Sequence, residues 1–352
     1  MAAVKIGING FGRIGRMVAR AMSMRKGEFD IVGINDVGST PRTHAHLFKY
    51  DTVHGKWKGE VGHDETGIIV DGHRIRFTTE KDPSKLPWRE LGAVVVIEST
   101  GVFTSRRDAA KGKAGYDDHI TAGARKVILS APAKDTIDAT VVLGVNDERL
   151  KPEHTFVSNG SCTTNCLAPL VKVLADNPQM FGDNITGMMT TVHAYTNDQR
   201  ILDQVHGDDL LRARAAAMNI IPSTTGAAKA IGLVVPKKSI QLDGFAFRVP
   251  VMNGSCVDLT VALEKEVEVD AVNSLFKKAA AEPKYKGILQ YSDEPLVSSD
   301  IIGNPYSSIF DSTRTMTTPK GKGKLLKLMS WYDNEWGFSN RVCDLAIRLA
   351  SM

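Results

Sequence analysis

The chain has 352 residues, 42% hydrophobic and 24% charged, and its 44 basic side chains against 40 acidic ones leave a formal charge of +4. At roughly 100–200 residues per domain, that length predicts two domains with sizeable cores, and the composition excludes disorder, collagen-like repeats and a disulfide-stapled miniprotein. So thin a surplus of charge gives no nucleic-acid footprint, no run approaches the ~18 apolar residues of a membrane span, and four scattered cysteines suit a reducing compartment. The opening Met1–Gly7 runs straight into a strand without the basic, apolar and cleavage regions of a secretory leader, so a cytoplasmic protein is expected.

The first 160 residues alternate short β-branched runs with helical spacing. Strands are predicted at Val4–Asn9, Asp30–Asp36, Ala93–Ser99, Lys126–Ala131, Thr140–Val145 and Thr155–Val157, and a helix over Ile14–Met24. Nearly continuous apolar strands joined by a helix predict a doubly wound parallel sheet, hence an α/β fold. Beyond Cys162 the texture changes. Thr163–Ala175 reads as a helix and Asn177–Asn184 as a surface loop; the alternating runs Thr190–Tyr195 and Asp258–Leu263 read as strands with one wet face. Asp270–Ala281 and Ser339–Ser351 are amphipathic helices, and Lys320, Lys322, Lys324 and Lys327 among glycines read as a solvated turn. The second half is therefore an α+β domain with a mixed or antiparallel sheet. The expected division is residues 1–160, rejoined by 332–352, and residues 161–331.

Gly10-Phe11-Gly12-Arg13-Ile14-Gly15 matches G-x-G-x-x-G, follows a predicted strand, opens a predicted helix and precedes an acid, Asp36, at the end of the next strand. Glycines there let the backbone approach a pyrophosphate at a helix N-terminus, and the acid accepts hydrogen bonds from the adenosine ribose hydroxyls. The same acid repels a 2′-phosphate. This marks a Rossmann domain that binds NAD in preference to NADP.

Cys162 falls in the first turn of a helix, where free N–H groups favour a thiolate, and Ser161 and Thr163 add hydroxyls suited to an anion or a cap. Cys166, Cys256 and Cys343 read as core residues, and no cysteine spacing matches a metal site. His44 and His46 lack a third metal ligand and suit a loop or helix start. His193, in an alternating strand, is a candidate partner for the thiol. Arg248 sits inside an apolar strand-like stretch, which calls for an anionic partner: a structural carboxylate or a ligand phosphate.

Together, Val4–Arg16, Glu98–Phe103, Ser130-Ala131-Pro132, the stretch around Cys162, Thr190–Leu202, Arg212–Lys229 and Trp331–Glu335 resemble the glyceraldehyde-3-phosphate dehydrogenases in the family's own order. The resemblance covers essentially the whole chain. It implies phosphorylating oxidation of glyceraldehyde 3-phosphate to 1,3-bisphosphoglycerate with NAD and inorganic phosphate, through a thioester on Cys162 with His193 as acid and base. It further implies Arg13, Ile14, Asp36, Lys81, Ser130 and Asn334 as cofactor contacts, and Thr196 and Arg248 as the substrate-phosphate pocket. Ser161, Thr163, Thr225 and Gly226 correspond to the pocket for attacking phosphate, with Arg212 contributing to anion binding as in bacterial-type members. A homotetramer with Ala194–Ala215 at its centre is implied, and no metal.

Some positions depart from the pattern. Gly160 replaces a common alanine and is expected to loosen its turn; Leu211, Gln204-Val205 and Phe338 replace a usual arginine, Leu-Pro and tyrosine. The alternatives are an erythrose-4-phosphate dehydrogenase, a nonphosphorylating aldehyde dehydrogenase, and a binding protein that has lost the chemistry. His193-Ala194-Tyr195-Thr196-Asn197-Asp198 follows the triose-phosphate pattern, and Thr225-Gly226 supplies the second anion pocket that a nonphosphorylating enzyme lacks.

Overall fold

The apolar run Val4–Asn9 forms β1, with Ile6 and Ile8 fully buried, and the helix that follows it, α1 (Arg13–Met24), turns Met17, Val18, Ala21 and Met22 inward. The computed structural model describes residues 2–207, 209–235 and 239–352. Contacts divide the chain into two units, Met1–Val141 with Asp147–Ser161 and Ser339–Met352, and Val142–Asn146 with Cys162–Phe338.

In the first unit the strands are β1, β2 (Phe29–Asn35), β3 (Val61–His63), β4 (Gly67–Val70), β5 (His73–Thr78), β6 (Val95–Glu98), β7 (Lys126–Leu129), β8 (Ala139–Thr140) and β9 (Phe156–Ser158). Among the described residues they make one sheet in the order β3-β4-β5-β2-β1-β6-β7-β9-β8. From β5 to β8 every pairing is parallel; β3 and β4 add an antiparallel edge. The helices α2 (Pro41–Lys49), α3 (Trp88–Leu91) and α4 (Asp118–Thr121) belong to this unit. Asn9 pairs with Asn35 on one side and Glu98 on the other, so β2, β1 and β6 end level. Their side chains lock the edge: the Asn9 amide donates to Glu98 (2.6 Å) and the Asn35 amide to Asn9 (2.8 Å). Ligands of such sheets bind beyond the carboxyl ends of the strands, where the order reverses.

The second unit opens on α5 (Cys162–Ala175) and α6 (Pro178–Phe181) and is built on a mixed sheet, β11-β12-β10-β13-β17-β15-β14, with β16 added beside β17. Its strands are β10 (Ile185–Ala194), β11 (Ile221–Thr224), β12 (Ile240–Val249), β13 (Ser255–Glu268), β14 (Leu289–Ser292), β15 (Ser308–Asp311), β16 (Met316–Thr318) and β17 (Lys322–Tyr332). The helices α7 (Ala227–Val234) and α8 (Val269–Ala280) flank it, and Asp333 starts α9 (Trp336–Ala350) by accepting the N–H groups of Glu335 and Trp336. Among the described residues no helix is long and apolar enough to cross a membrane.

Four local expectations need correction. Only Ala139–Thr140 pairs as a strand; Gly144, at φ +78°, and the Asn146 side chain, which accepts the Val142 N–H, turn Val142–Asn146 aside. The basic loop is a turn at Gly321 (φ +91°) followed by β17, in which Lys327 pairs with Asp258 at 2.5 Å. The Asn177–Asn184 loop holds α6, started by Pro178 and pinned by the fully buried Phe181. Gly160 adopts φ +65°, a left-handed conformation that favours glycine, so it suits its turn instead of loosening it.

Candidate functional site

Two groups of predicted residues assemble, one in each unit. In the first, Gly10 turns at φ +90°, and a Cβ on Gly15 would stand 2.0 Å from the Gly10 carbonyl oxygen, so α1 packs against the turn as closely as glycine allows. A Cβ on Gly12 would meet nothing within 4 Å, and no side chain caps α1 there. Open space above uncapped N–H groups fits a pyrophosphate. Asp36 accepts the Phe11 N–H (2.7 Å) on one oxygen and the Gly38 N–H (2.8 Å) on the other. Burial pushes its carboxyl up, but the His44 ring and those two N–H groups outweigh it and hold it at about 2. An acceptor charged at every working pH, at the end of β2, fits a ribose diol. Ser130 donates to the Glu98 carbonyl oxygen, and Lys81 is exposed just past β5. Arg13 lies at the start of α1 but spans to Asp51 (2.5 Å), so its guanidinium arrives already paired.

In the second unit, Cys162 is half-buried at the first residue of α5, and its Sγ lies 3.4 Å from His193 Nε2. Parallel pairing of β10 and β12 places Arg248 directly beside His193. The Arg248 Nη1 reaches His193 Nδ1 (2.8 Å), the Ala194 carbonyl oxygen (3.2 Å) and Thr196 Oγ1 (3.2 Å). His193 Nδ1 also lies 2.6 Å from that carbonyl oxygen. A carbonyl only accepts and a guanidinium only donates, so Nδ1 serves one of them at a time. As N–H toward the carbonyl it leaves Nε2 a lone pair for the thiol's proton; as lone pair toward Arg248 it leaves Nε2–H to donate. Burial and the Arg248 cation push the imidazole down to about 3. Burial pushes the Cys162 thiol up, with Arg248 and the Thr163 hydroxyl and N–H drawing it back. The buried Cys166 and Cys256 are driven to about 12 by burial.

The same chain of contacts continues outward. Thr196 and Arg212 both bond to Asp198, and Arg212 also holds Asp209 at 3.0 Å. Arg248 has no carboxylate ion pair among the described residues, and its buried Nε lacks a partner. Thr225 accepts the Ala227 N–H at the start of α7, and Gly226 faces open space. The Thr163 hydroxyl lies 2.8 Å from Tyr332 Oη, which also meets Thr191 Oγ1 (2.8 Å). Asn334 accepts the Ser255 hydroxyl (2.8 Å), which leaves its amide N–H₂ as the group to offer. Ser161 closes the first unit immediately before Cys162.

Sequence reasoning gave no role to Asp198, Tyr332, Thr191 or Asp51. Thr191 could have been found, because alternation puts it on the same strand face as His193. No local pattern marks the others. Among the described residues no three His, Cys, Asp or Glu side chains are placed to hold a metal.

Two family models match: "Glyceraldehyde 3-phosphate dehydrogenase, NAD binding domain" over residues 4–106 and "Glyceraldehyde 3-phosphate dehydrogenase, C-terminal domain" over residues 161–334. Proteins named glyceraldehyde-3-phosphate dehydrogenase are similar along almost the full length. That of Thermotoga maritima is 55% identical over 349 residues, covering 99% of each chain. That of Streptomyces coelicolor is 54% identical over 345 residues, 98% of each, and that of Geobacillus stearothermophilus 53% over 350 residues, 99% of each.

Proposed function

The chain belongs to the glyceraldehyde-3-phosphate dehydrogenase family, and from that premise we propose how its own residues divide the work. The reaction is the NAD-dependent, phosphorylating oxidation of glyceraldehyde 3-phosphate to 1,3-bisphosphoglycerate. NAD, when bound, accepts the hydride. Cys162 Sγ adds to the aldehyde carbon, and His193 Nε2 relays the thiol's proton to the new hydroxyl of the hemithioacetal. The helix N-terminus and Arg248 steady the sulfur's negative charge while it lasts. His193 then takes the hydroxyl proton as hydride leaves the same carbon, and a thioester remains on Cys162. An oxygen of inorganic phosphate attacks the thioester carbon, the carbon–sulfur bond breaks, and the acyl phosphate leaves. The observation that carries this reading is the 3.4 Å approach of Cys162 Sγ to His193 Nε2 beside a guanidinium that lacks a carboxylate.

Arg248 and Thr196 hold the substrate phosphate in this assignment; Ser161, Thr163, Thr225 and Gly226 receive the attacking phosphate, with Arg212 adding positive charge. For the cofactor, the Gly10–Gly15 turn with Arg13 and Ile14 takes the pyrophosphate and Asp36 the ribose. Lys81 and Ser130 line the adenosine and nicotinamide sides, and the Asn334 amide the carboxamide. Four free cysteines, one of which must stay a thiol, support the reading of a reducing compartment such as the cytoplasm. Ile201, Leu202, Val205, Leu210 and Met218 are each at least 75% exposed, an apolar surface suited to covering by further copies in a homotetramer.

NADH formation from glyceraldehyde 3-phosphate tests the assignment. Turnover should require NAD and inorganic phosphate and fall by at least about a thousandfold in Cys162→Ser, as loss of a nucleophile does. Turnover undiminished without phosphate, or faster on erythrose 4-phosphate, would overturn the phosphorylating triose-phosphate assignment.

A further inference from the structure

His44 lies on α2 with 6% of its surface exposed, and neither ring nitrogen has a hydrogen-bond partner. Burying an imidazole with both nitrogens unsatisfied costs free energy, and such orphaned groups in native proteins concentrate where something else binds. The ring is wedged between Phe11 (centroids 5.6 Å apart) from the turn before α1 and Phe77 (5.1 Å) from β5. Its Nε2 stands 3.6 Å from Asp36 Oδ1, just beyond hydrogen-bond reach of the carboxylate assigned to the ribose.

The neighbouring charges are otherwise committed. Arg13 at the start of α1 is paired with Asp51; on β5, Arg74 and Arg76 are paired with Asp64 and Glu90, and His73 Nε2 lies 3.3 Å from Asp30 Oδ1. Of β3 and β4, only His63 titrates, and it is exposed. Past the end of β5, Glu80 and Lys81 are the remaining charges near this edge, where the Asn35 amide donates to the Glu80 carbonyl oxygen. A charge gained by His44 is therefore felt first by Asp36 and by whatever Asp36 binds.

We propose that His44 is a specificity-determining residue whose charge sets how strongly the Asp36 pocket refuses a 2′-phosphorylated cofactor. Neutral, it leaves Asp36 alone against the 2′-phosphate, and NAD is favoured. Protonated, it cancels the Asp36 charge and offers an N–H donor to the phosphate, so NADP is admitted as the pH falls. Asp36 itself stays ionised throughout, because even an ordinary aspartate, of pKa ~4, is charged above pH 5.5 and the Phe11 and Gly38 N–H groups hold it lower still, so it supplies no pH dependence of its own. The inference rests on the reading that Asp36 receives the adenosine ribose.

Calorimetric titration of the full chain with NAD and with NADP, from pH 8.5 to 5.5, tests it without turnover. The 2′-phosphate takes up a proton near pH ~6 and adds the same slope to every variant. Over that range the NADP/NAD affinity ratio of the wild type should rise about fivefold more than that of His44→Leu or His44→Gln, the scale of one charge pair near 4 Å in water-like surroundings. Leu fits between two phenyl rings and Gln keeps a neutral donor, so one variant stands in if the other fails to bind NAD. Parallel lines for wild type and variants, with Asp36→Asn raising NADP binding at every pH, would overturn the role of His44 and leave the ribose assignment standing. An unchanged ratio in Asp36→Asn would remove that assignment and the inference with it.

Discussion

His193 shows what burial does to a titrating side chain. An imidazole of ordinary pKa, about 6.5, is held at about 3 in the fold by burial and by Arg248. Between those values the unfolded chain binds a proton that the folded chain refuses. The stability this group allows is complete above about pH 6.5 and is lost progressively as the pH falls toward 3. In His193→Gln the denaturation midpoint should therefore change less between pH 6.5 and 4 than in the wild type; equal slopes would mean that His193 is already charged in the fold. At this scale the sequence revealed residue types better than partnerships. Cys162 stood out by its place at a helix start and Asp36 by its distance from the glycine turn. Nothing in the spacing of Cys162, His193 and Arg248 brought them together, because their proximity depends on the register of β10 with β12 and on where α5 begins. Asp198 was opaque for a related reason: a carboxylate in a loop looks solvated until an arginine and a threonine bond to it.

Among elements, the tightest constraint is the approach of α1 to the turn that follows β1. Gly15→Ala places a methyl carbon 2.0 Å from the Gly10 carbonyl oxygen, against backbone that cannot yield cheaply. Thermal melts and NAD titration of this variant should show about 1–3 kcal/mol of lost stability together with weakened NAD binding, as overpacking does. Unchanged melting and binding would mean that the helix slides freely. The parallel strands were readable because both faces are buried, which writes an unbroken apolar run. The misread segments lack that signal. Val141–Val145 is apolar because it is buried, yet Gly144 and the Asn146 side chain bend it into a turn. Lys322–Lys327 is polar because one face is wet, and Gly323 stands where the opposite face meets the Thr318 carbonyl oxygen. Burial without extension, and extension without burial, each defeat a reading by hydrophobicity.

For the whole molecule, the exposed apolar side chains between Ile201 and Ile220 belong to a surface that water covers poorly. Light scattering after size exclusion should give four chain masses for the wild type. The pair Ile201→Asp and Leu210→Asp should shift it to smaller species; a monomeric wild type would refute the homotetramer. The two-unit organisation could be anticipated from the change of texture near Cys162. The expectation of a homotetramer came only through the family resemblance, because an apolar residue of a surface and one of a core read alike in sequence.

The helix Trp336–Ala350 carries one further consequence. Its residues from Ser339 onward belong to the first unit, where Cys343 packs against the Val18 carbonyl oxygen and Asp344 pairs with Arg25 at 2.6 Å. On a ribosome, α1 emerges more than three hundred residues before the helix that packs against it. During synthesis the nucleotide-binding unit waits, with the back of α1 uncovered, until the catalytic unit has been made. A message cut short in that interval yields a chain with an open apolar flank, which chaperones and proteases can recognise as unfinished.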